Sequence, residues 1–190
     1  QYIYAYDGLG NRIQQTKTVM IGSTVTDYLL DLQAGLPQVI GTTIGSNISH
    51  FIHGPTGIHS AQNPNGDWAW AIQDALGNVR AEADNLFTVS ASRHYDPYLT
   101  PYDEDGTFDM PFGATGEPID ENGLVHLRAR YMKPDIGAFI SLDPFEGIED
   151  EPLSMNGYGY AHGNPVRHTD PSGQFPFLLA VIPLLSSNPL

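Results

Sequence analysis

The sequence predicts an all-β protein built from repeated β-hairpins, with a compact, loop-rich region towards its end. Twenty glycines and fifteen prolines are spread along the 190 residues, so turns recur every few residues and long helices have little room. Short runs rich in branched or aromatic residues lie between these turns, as strands should. The clearest of these runs are residues 27–32, 38–44, 48–52 and 68–72.

A turn motif occurs twice with the same spacing. Residues 7–12 read DGLGNR and residues 74–80 read DALGNVR. In such a turn the Asp side chain can close the loop, while Gly and Asn tolerate a positive φ. Residues 131–140 form a third, looser copy. Hairpins repeated in this way are expected to share one sheet and to bury a continuous core.

The hairpin pattern divides the chain into three parts. We assign residues 1–95 to a hairpin-repeat region, residues 96–173 to a core region, and residues 174–190 to the start of a different, apolar segment. Within the core region, the acidic, proline-rich residues 97–121 are expected to form a surface loop. The chain opens with Gln1 and strand-like residues, which predicts a piece of a longer protein.

Composition excludes several classes of function. A formal net charge of -14 repels phosphate backbones and anionic lipid surfaces, so nucleic acid is not an expected partner. The absence of cysteine excludes disulfides, thiolate metal sites and a cysteine nucleophile. The longest apolar stretch, residues 175–185, is too short to cross a bilayer and contains two prolines, so no membrane span is expected.

An ordered series of motifs resembles the RHS or YD-repeat proteins, and within them the RHS-associated core. The resemblance covers nearly all of residues 1–173. Besides the turn motifs, it includes residues 111–117, 127–131, 139–144 and 164–173. It implies YD-repeat β-hairpins in a curled sheet, which form a hollow shell around a C-terminal toxin, with the core as a plug at one end.

The resemblance also implies a context for the protein. The parent is expected to be a large secreted or cell-surface protein of the polymorphic-toxin type. The expected partners of the chain are therefore the rest of the YD-repeat shell and its own C-terminal segment.

The self-cleavage motif of this family has a counterpart near the end of the chain. In the family, the core cuts its own chain after Pro, four residues, Asp-Pro, any residue and Gly-Leu. The matching positions are Pro165, Asp170, Pro171 and Gly173. Gln174 stands where Leu is usual, and the resemblance implies a cut between Gln174 and Phe175.

Two aspartates and an arginine are the candidate catalytic residues. Hydrolysis by aspartates needs two carboxyl groups that share a proton, one as base and one as acid. Asp143 and Asp170 match the family's aspartates, and Arg130 matches an arginine that holds the pair in register or keeps one carboxylate ionised. Taken singly, Asp-Pro is a common turn and an arginine between strands is usually an ion-pair residue. Together they predict a single-turnover aspartic autoprotease that releases the C-terminal effector.

Two other functions stay open at this point. One is a purely structural module that closes the shell without cleavage. The other is a module that binds carbohydrate or cell-surface glycans through exposed aromatic side chains. Mass spectrometry of the expressed chain and a glycan array separate these possibilities from proteolysis.

An acidic stretch raises the question of calcium. Asp103, Asp105 and Asp109 resemble part of a calcium-binding loop, in which alternate carboxylates surround the ion. Pro101 occupies the position of the leading Asp, so a solvated acidic loop is the favoured interpretation. No other metal site and no cofactor are predicted.

Overall fold

The fold is dominated by one antiparallel sheet of ten strands. The computed structural model describes residues 1–147, 149–150 and 152–174, and the backbone of residues 177–178. The strands are β1 Tyr2–Tyr6, β2 Arg12–Val19, β3 Gly22–Asp31, β4 Gln38–Ile44, β5 Asn47–Gly54, β6 Gly57–Gln62, β7 Trp68–Gln73, β8 Val79–Ala83, β9 Val89–Tyr95 and β10 Pro101–Gly106. Their order in the sheet is their order in the chain. The predicted all-β fold is confirmed, and the four predicted runs fall on β3, β4, β5 and β7.

The two predicted turns are closed as expected by an aspartate side chain. Asp7 Oδ1 accepts hydrogen bonds from the amides of Leu9 and Asn11, at 2.8 and 2.9 Å. Asp74 Oδ1 binds the amides two and four residues on in the same way, at 3.0 Å each. Gly10 and Gly77 take φ values of 84° and 83°, which a side chain would disfavour.

Further turns of this type occur where the sequence shows no Gly-Asn pair. Asp84 Oδ1 accepts hydrogen bonds from the amides of Leu86 and Thr88, and Asp96 Oδ1 accepts one from Thr100. The residues at positive φ are Phe87 (58°) and Leu99 (73°). Bulky side chains are rare in this conformation, so the motif is hidden from a search based on glycine.

The predicted surface loop over residues 97–121 is partly wrong. Its first part forms β10, which pairs with β9 through Pro101 opposite Tyr95 and Gly106 opposite Ala91. The register shifts between Tyr102 and Asp105, where Asp103 adopts φ 51°. Acidic side chains are compatible with a strand here because β10 is at the edge of the sheet and exposed.

Residues 107–174, called here the loop-rich segment, contain only short elements. The strands are β11 Val125–Leu127, β12 Arg130–Lys133, β13 Ala138–Phe139 and β14 His168–Thr169, and β14 pairs with β15 Phe177–Leu178. Single 3₁₀ turns occur at Ala114–Gly116, Pro134–Ile136, Pro152–Met155 and Ala161–Gly163. The predicted third hairpin is confirmed as β12 and β13, joined by a turn that ends at Gly137 with φ 63°.

The loop-rich segment packs on one face of the sheet. Phe51 from β5 contacts Phe112 edge to face, with ring centroids 5.0 Å apart, in a cluster that includes Ile58 and Met110. A second cluster joins Leu99 to Leu127, Met132, Phe139 and Tyr160. Ile48 and Ile52, which flank Phe51 on the opposite face of β5, are exposed. The core therefore lies between the sheet and the segment that contains the candidate site.

No helix among the described residues is long and apolar enough to cross a membrane.

Candidate functional site

The structure brings the three predicted catalytic residues together. Arg130 opens β12 and is 3% exposed. Its Nη2 atom lies 2.7 Å from Asp143 Oδ2 and 3.5 Å from Asp170 Oδ2. One guanidinium nitrogen thus contacts two carboxylates whose residues are 27 positions apart in the sequence. We call Arg130, Asp143 and Asp170 the ion cluster.

Arg130 also binds two backbone carbonyls. Its Nη1 atom donates to the carbonyl oxygen of Gly157 at 3.0 Å, and its Nε atom donates to that of Gly173. The guanidinium carbon lies 3.6 Å from the ring centroid of Phe139, a cation–π distance. The guanidinium is therefore hydrogen-bonded along its edges, and the Phe139 ring covers one of its faces. A buried arginine needs such contacts.

Asp170 begins a tight turn that ends at Gln174. Its Oδ1 atom accepts hydrogen bonds from Ser172 Oγ at 3.0 Å and from the Gln174 amide at 3.1 Å. Its carbonyl oxygen accepts one from the Gly173 amide at 3.2 Å. The Asp170 side chain therefore fixes the backbone directly before the predicted cleavage position.

Gly173 is required by this turn. It adopts φ 69°, and a Cβ atom placed on it would overlap the Leu127 carbonyl oxygen and lie 3.0 Å from the Arg130 amide nitrogen. The amide of Ala129 donates to the Ser172 carbonyl oxygen at 3.2 Å. The turn over residues 170–174 is thus pressed against the connection between β11 and β12.

Asp143 is held by the backbone on both sides. Its amide donates to the Gly157 carbonyl oxygen at 2.9 Å, and its Oδ1 atom accepts from the Phe145 amide at 2.9 Å. Gly157 thereby binds both Asp143 and Arg130 through one carbonyl oxygen. Each charged group of the ion cluster is thus also hydrogen-bonded to main chain.

Arg128 supports the same turn, and the sequence did not reveal its role. It donates from Nη1 to the Pro171 carbonyl oxygen at 2.7 Å and from Nε to the Pro37 carbonyl oxygen at 3.0 Å. Its Nη1 atom also lies 2.6 Å from Glu117 Oε1. Arg128 belongs to the 127–131 motif. Its position two residues before Arg130 is the sequence signal that could have identified it.

Burial and charge change two pKa values at the site. Burial lowers the pKa of Arg130, and the carboxylates of Asp143 and Asp170 oppose that change. Burial raises the pKa of Tyr160 well above its ordinary value, and the nearby charge of Asp170 adds to the rise. Tyr160 is therefore a neutral neighbour of the ion cluster at physiological pH.

The cleft beside the ion cluster is small. It has a volume of about 20 Å³ and is lined in part by Asn156, His162 and Gln174. Such a volume has room for about one water molecule. His162 adopts φ 50° at this cleft.

Other predicted positions lie apart or cannot be placed. Pro165 is buried, whereas Phe175 lies outside the described residues. Asp103 and Asp105 are exposed on β10. Within the part of the chain that the structure describes, no three His, Cys, Asp or Glu side chains form a group that could hold a metal ion.

Comparison of the chain with curated proteins finds similarity to part of several nucleases. No family model matches it. It is 33% identical to the tRNA3(Ser)-specific nuclease WapA of Bacillus spizizenii over 181 residues, which are 93% of this chain and 8% of that protein. The identity and coverage are the same for the tRNA nuclease WapA of Bacillus subtilis strain 168. The chain thus spans 8% of the length of these relatives.

Solved structures show the same fold within toxin complexes. A crystal structure of TcdB2-TccC3 without its hypervariable C-terminal region has a TM-score of 0.70 at 20% identity, over 90% of this chain and 9% of that chain. The Tc holotoxin pore of Photorhabdus luminescens has a TM-score of 0.71 at 20% identity, over 93% and 9%. These similarities show that the chain shares its fold with part of each of these structures.

The prediction of an intramolecular aspartic protease that cuts after Gln174 is wrong, because the curated relatives are named as tRNA nucleases. In the structure, both carboxylates contact the Arg130 guanidinium. The structural and glycan-binding alternatives fit these names no better.

Proposed function

We propose that this chain is the RHS-associated core module of a much longer nuclease-type toxin, and that it anchors the toxin's chain at Gly173 and Gln174. The observation that carries the proposal is the ion cluster. Arg130 binds Asp143, Asp170 and the Gly173 carbonyl oxygen together, while Asp170 binds the Gln174 amide. The site residues predicted from sequence thus act on the backbone that leads to the next segment.

A buried arginine is well suited to such an anchor. Removing one partner of a buried ion pair leaves an uncompensated charge, which costs about 3–5 kcal/mol. Asp170 and Arg130 are 2% and 3% exposed, so the departing chain is tied to groups that cannot easily be separated. We infer that the following segment can move or unfold without disturbing the module before Gln174.

Nuclease chemistry belongs to another part of the proposed toxin. The chain has a formal net charge of -14, which opposes binding of an RNA backbone. The similarity to tRNA nucleases supports a parent toxin of that activity, because 33% identity extends over 181 residues. The similar TcdB2-TccC3 structure lacks a region described as hypervariable and C-terminal. A variable effector after Gln174 is consistent with that description.

The edge of the sheet indicates where the rest of the YD-repeat shell would join this chain. β1 is hydrogen-bonded to β2 and occupies one end of the ten-strand order. We propose that a preceding hairpin of the parent protein pairs with β1, so that the YD-repeat shell continues beyond this chain. Such a toxin is secreted or displayed at the cell surface, in agreement with the toxin complexes that share the fold.

A tRNA assay tests whether the nuclease activity lies outside this chain. The purified 190-residue chain is incubated with mixed tRNA at low salt and followed by gel shift and by denaturing gel. We expect neither binding nor cleavage. Cleavage that depends on side chains of the described residues would show that the module is itself the nuclease.

A double-mutant cycle tests the anchor. We expect Arg130→Met and Asp170→Asn to show a coupling energy of about 1–3 kcal/mol in urea unfolding. The matched control is the partly exposed pair of Arg80 and Asp74, whose charged atoms lie 3.7 Å apart and whose coupling should be below about 1 kcal/mol. Equal coupling in both pairs would contradict the proposed anchor.

A further inference from the structure

Three Asn-Gly pairs in the chain are candidates for a chemical change that needs no enzyme. They are residues 65–66, 122–123 and 156–157. In such a pair the amide nitrogen of Gly can attack the side-chain carbonyl carbon of Asn, because Gly has no side chain to obstruct the approach. All three asparagines are exposed, so access of water does not distinguish the pairs.

The hydrogen bonding of the glycine amide does distinguish them. The Gly66 amide donates to the Asn63 carbonyl oxygen at 2.9 Å, and the Gly123 amide donates to the Asp120 carbonyl oxygen at 2.8 Å. The Gly157 amide has no hydrogen-bond partner among the residues that the structure describes. An amide held by a carbonyl must first break that bond before its nitrogen can attack. Of the three pairs, 156–157 is therefore the one whose nucleophile is already released.

The side-chain carbonyl of Asn156 is also prepared for the attack. Its Oδ1 atom accepts a hydrogen bond from the Tyr158 amide at 3.2 Å. Negative charge develops on this oxygen when a nitrogen adds to the carbon, and a backbone N–H already directed at the oxygen stabilises that charge.

The pair at residues 122–123 provides a matched comparison within the same molecule. Asn122 Oδ1 accepts a bond from the Leu124 amide, also at 3.2 Å. Its Nδ2 atom, which would leave, donates to the Tyr4 hydroxyl at 3.0 Å. The two pairs thus share the bond to Oδ1 and differ in the glycine amide and in the leaving nitrogen.

We propose that Asn156 is a self-modifying site, which converts to aspartate or isoaspartate by deamidation through a cyclic imide. A bond forms between the Gly157 nitrogen and Asn156 Cγ, and the bond from Cγ to Nδ2 breaks. The proton of the Gly157 amide passes to Nδ2, which leaves as ammonia. One water molecule then opens the imide at either carbonyl carbon and gives the two products. Solvent water is the only other reactant.

The modification would act on the ion cluster, and this step rests on the anchor proposed above. Asn156 lines the same cleft as Arg130, Asp143 and Asp170, so both products add a third carboxylate there. Isoaspartate also lengthens the backbone directly before Gly157, whose carbonyl oxygen binds the Asp143 amide and Arg130. Deamidation is irreversible, so the hold on the exit turn would weaken with the age of the molecule.

Peptide mapping by mass spectrometry tests the modification. The wild-type chain is incubated in mildly alkaline buffer, and the mass increase that accompanies replacement of the side-chain NH₂ by OH is followed at all three asparagines. We expect Asn156 to convert at least about tenfold faster than Asn122, because the Gly157 amide has no bond to break. A rate at Asn156 no higher than that at Asn122 would overturn the proposal.

The same incubation in urea separates the fold from the local sequence. Unfolding releases the Gly66 and Gly123 amides, so the three asparagines should then convert at similar rates. A preference for Asn156 that persists undiminished in urea would assign it to neighbouring residues and contradict a cause in the folded structure.

Variants test the effect on the anchor. Asn156→Asp reproduces one product, whereas Asn156→Gln keeps a neutral amide and closes the imide ring far less readily. We expect the Gln174 amide to exchange its hydrogen about threefold faster or more in Asn156→Asp than in Asn156→Gln. Asn122→Asp, the matched control, should leave exchange at Gln174 unchanged. The mass change at Asn156 does not depend on the anchor, so equal exchange in the two Asn156 variants would contradict the effect on the anchor while the modification itself is decided by its own rate.

Discussion

The ten-stranded sheet and the loop-rich segment are stabilised in different ways. In the sheet, every strand bonds to strands next to it in sequence, and turns are closed by local aspartates such as Asp7 and Asp74. In the loop-rich segment the strands have two to four residues, and buried arginines join distant parts of the chain. Arg12 and Asp120, for example, are 108 residues apart. The difference teaches that local contacts form the sheet, whereas apolar clusters and the long-range Arg12–Asp120 ion pair attach the segment to it.

The largest effect is expected when one of these long-range pairs is broken. Arg12→Met leaves Asp120, whose side chain is 4% exposed, as an uncompensated charge, and should lower the free energy of unfolding by about 3–5 kcal/mol. Arg80→Met, at a partly exposed pair, should cost less than about 1 kcal/mol. Urea unfolding measures both. Similar costs would mean that the attachment of the segment does not depend on the buried Arg12–Asp120 pair.

The next effect concerns glycines at positive φ in the two regions. Gly173→Ala should cost about 3 kcal/mol, because it combines a left-handed backbone with overlap of the Leu127 carbonyl oxygen. Gly10 also adopts a positive φ of 84°, but a Cβ atom placed on it would have no atom within 4 Å. Gly10→Ala should therefore cost about 1–2 kcal/mol. Thermal and urea unfolding of the two variants provide the comparison. A cost at Gly10 as large as that at Gly173 would contradict the close packing of the exit turn.

A smaller effect is expected in the turns of the sheet. Asp74→Ala removes two hydrogen bonds to backbone amides and one to the Asn78 side chain, and should cost about 1 kcal/mol. Asp74→Asn keeps an acceptor oxygen and should recover part of this loss. Hydrogen exchange near Asn78 should rise in the alanine variant alone. A loss above about 3 kcal/mol would show that this turn has more than a local role.

The smallest effect is a change of stability with pH at Glu117. Burial raises the pKa of Glu117 above 4.5, so its contribution is complete below that value and is lost as pH rises through the raised pKa. Glu117→Gln removes this titration. The free energy of unfolding of the wild type, relative to that of the variant, should therefore fall as the pH rises above 4.5. A relative rise over this range would contradict the cause assigned to the shift.

The same contrast explains what the sequence predicted. The four strand runs and the two Gly-Asn turns were predicted because period-two patterns and turn residues act locally. The turns at Phe87 and Leu99 were missed because these residues have no intrinsic preference for positive φ, which their Asp-closed turns impose. β10 was missed because its acidic residues are typical of loops.

The site was predicted in part by resemblance and not by local pattern. The convergence of Arg130, Asp143 and Asp170 follows from the way the loop-rich segment returns to β12, which no local pattern contains. The roles of Arg128 and Gly157 depend on backbone carbonyls, which every residue has, so residue type gives no signal. The prediction of protease chemistry was wrong because two aspartates near an arginine are compatible with an ion-paired anchor as well as with a catalytic pair.

Hydrogen exchange at the Gln174 amide tests the anchor most directly. This amide donates to Asp170 Oδ1, and the Gln33 amide, in an exposed turn, donates to Asp31 Oδ1 as a matched control. We expect Gln174 to exchange at least about 100-fold more slowly than Gln33 in the wild type, because Asp170 is held by Arg130. Exchange of Gln174 as fast as that of Gln33 would contradict an anchored chain exit.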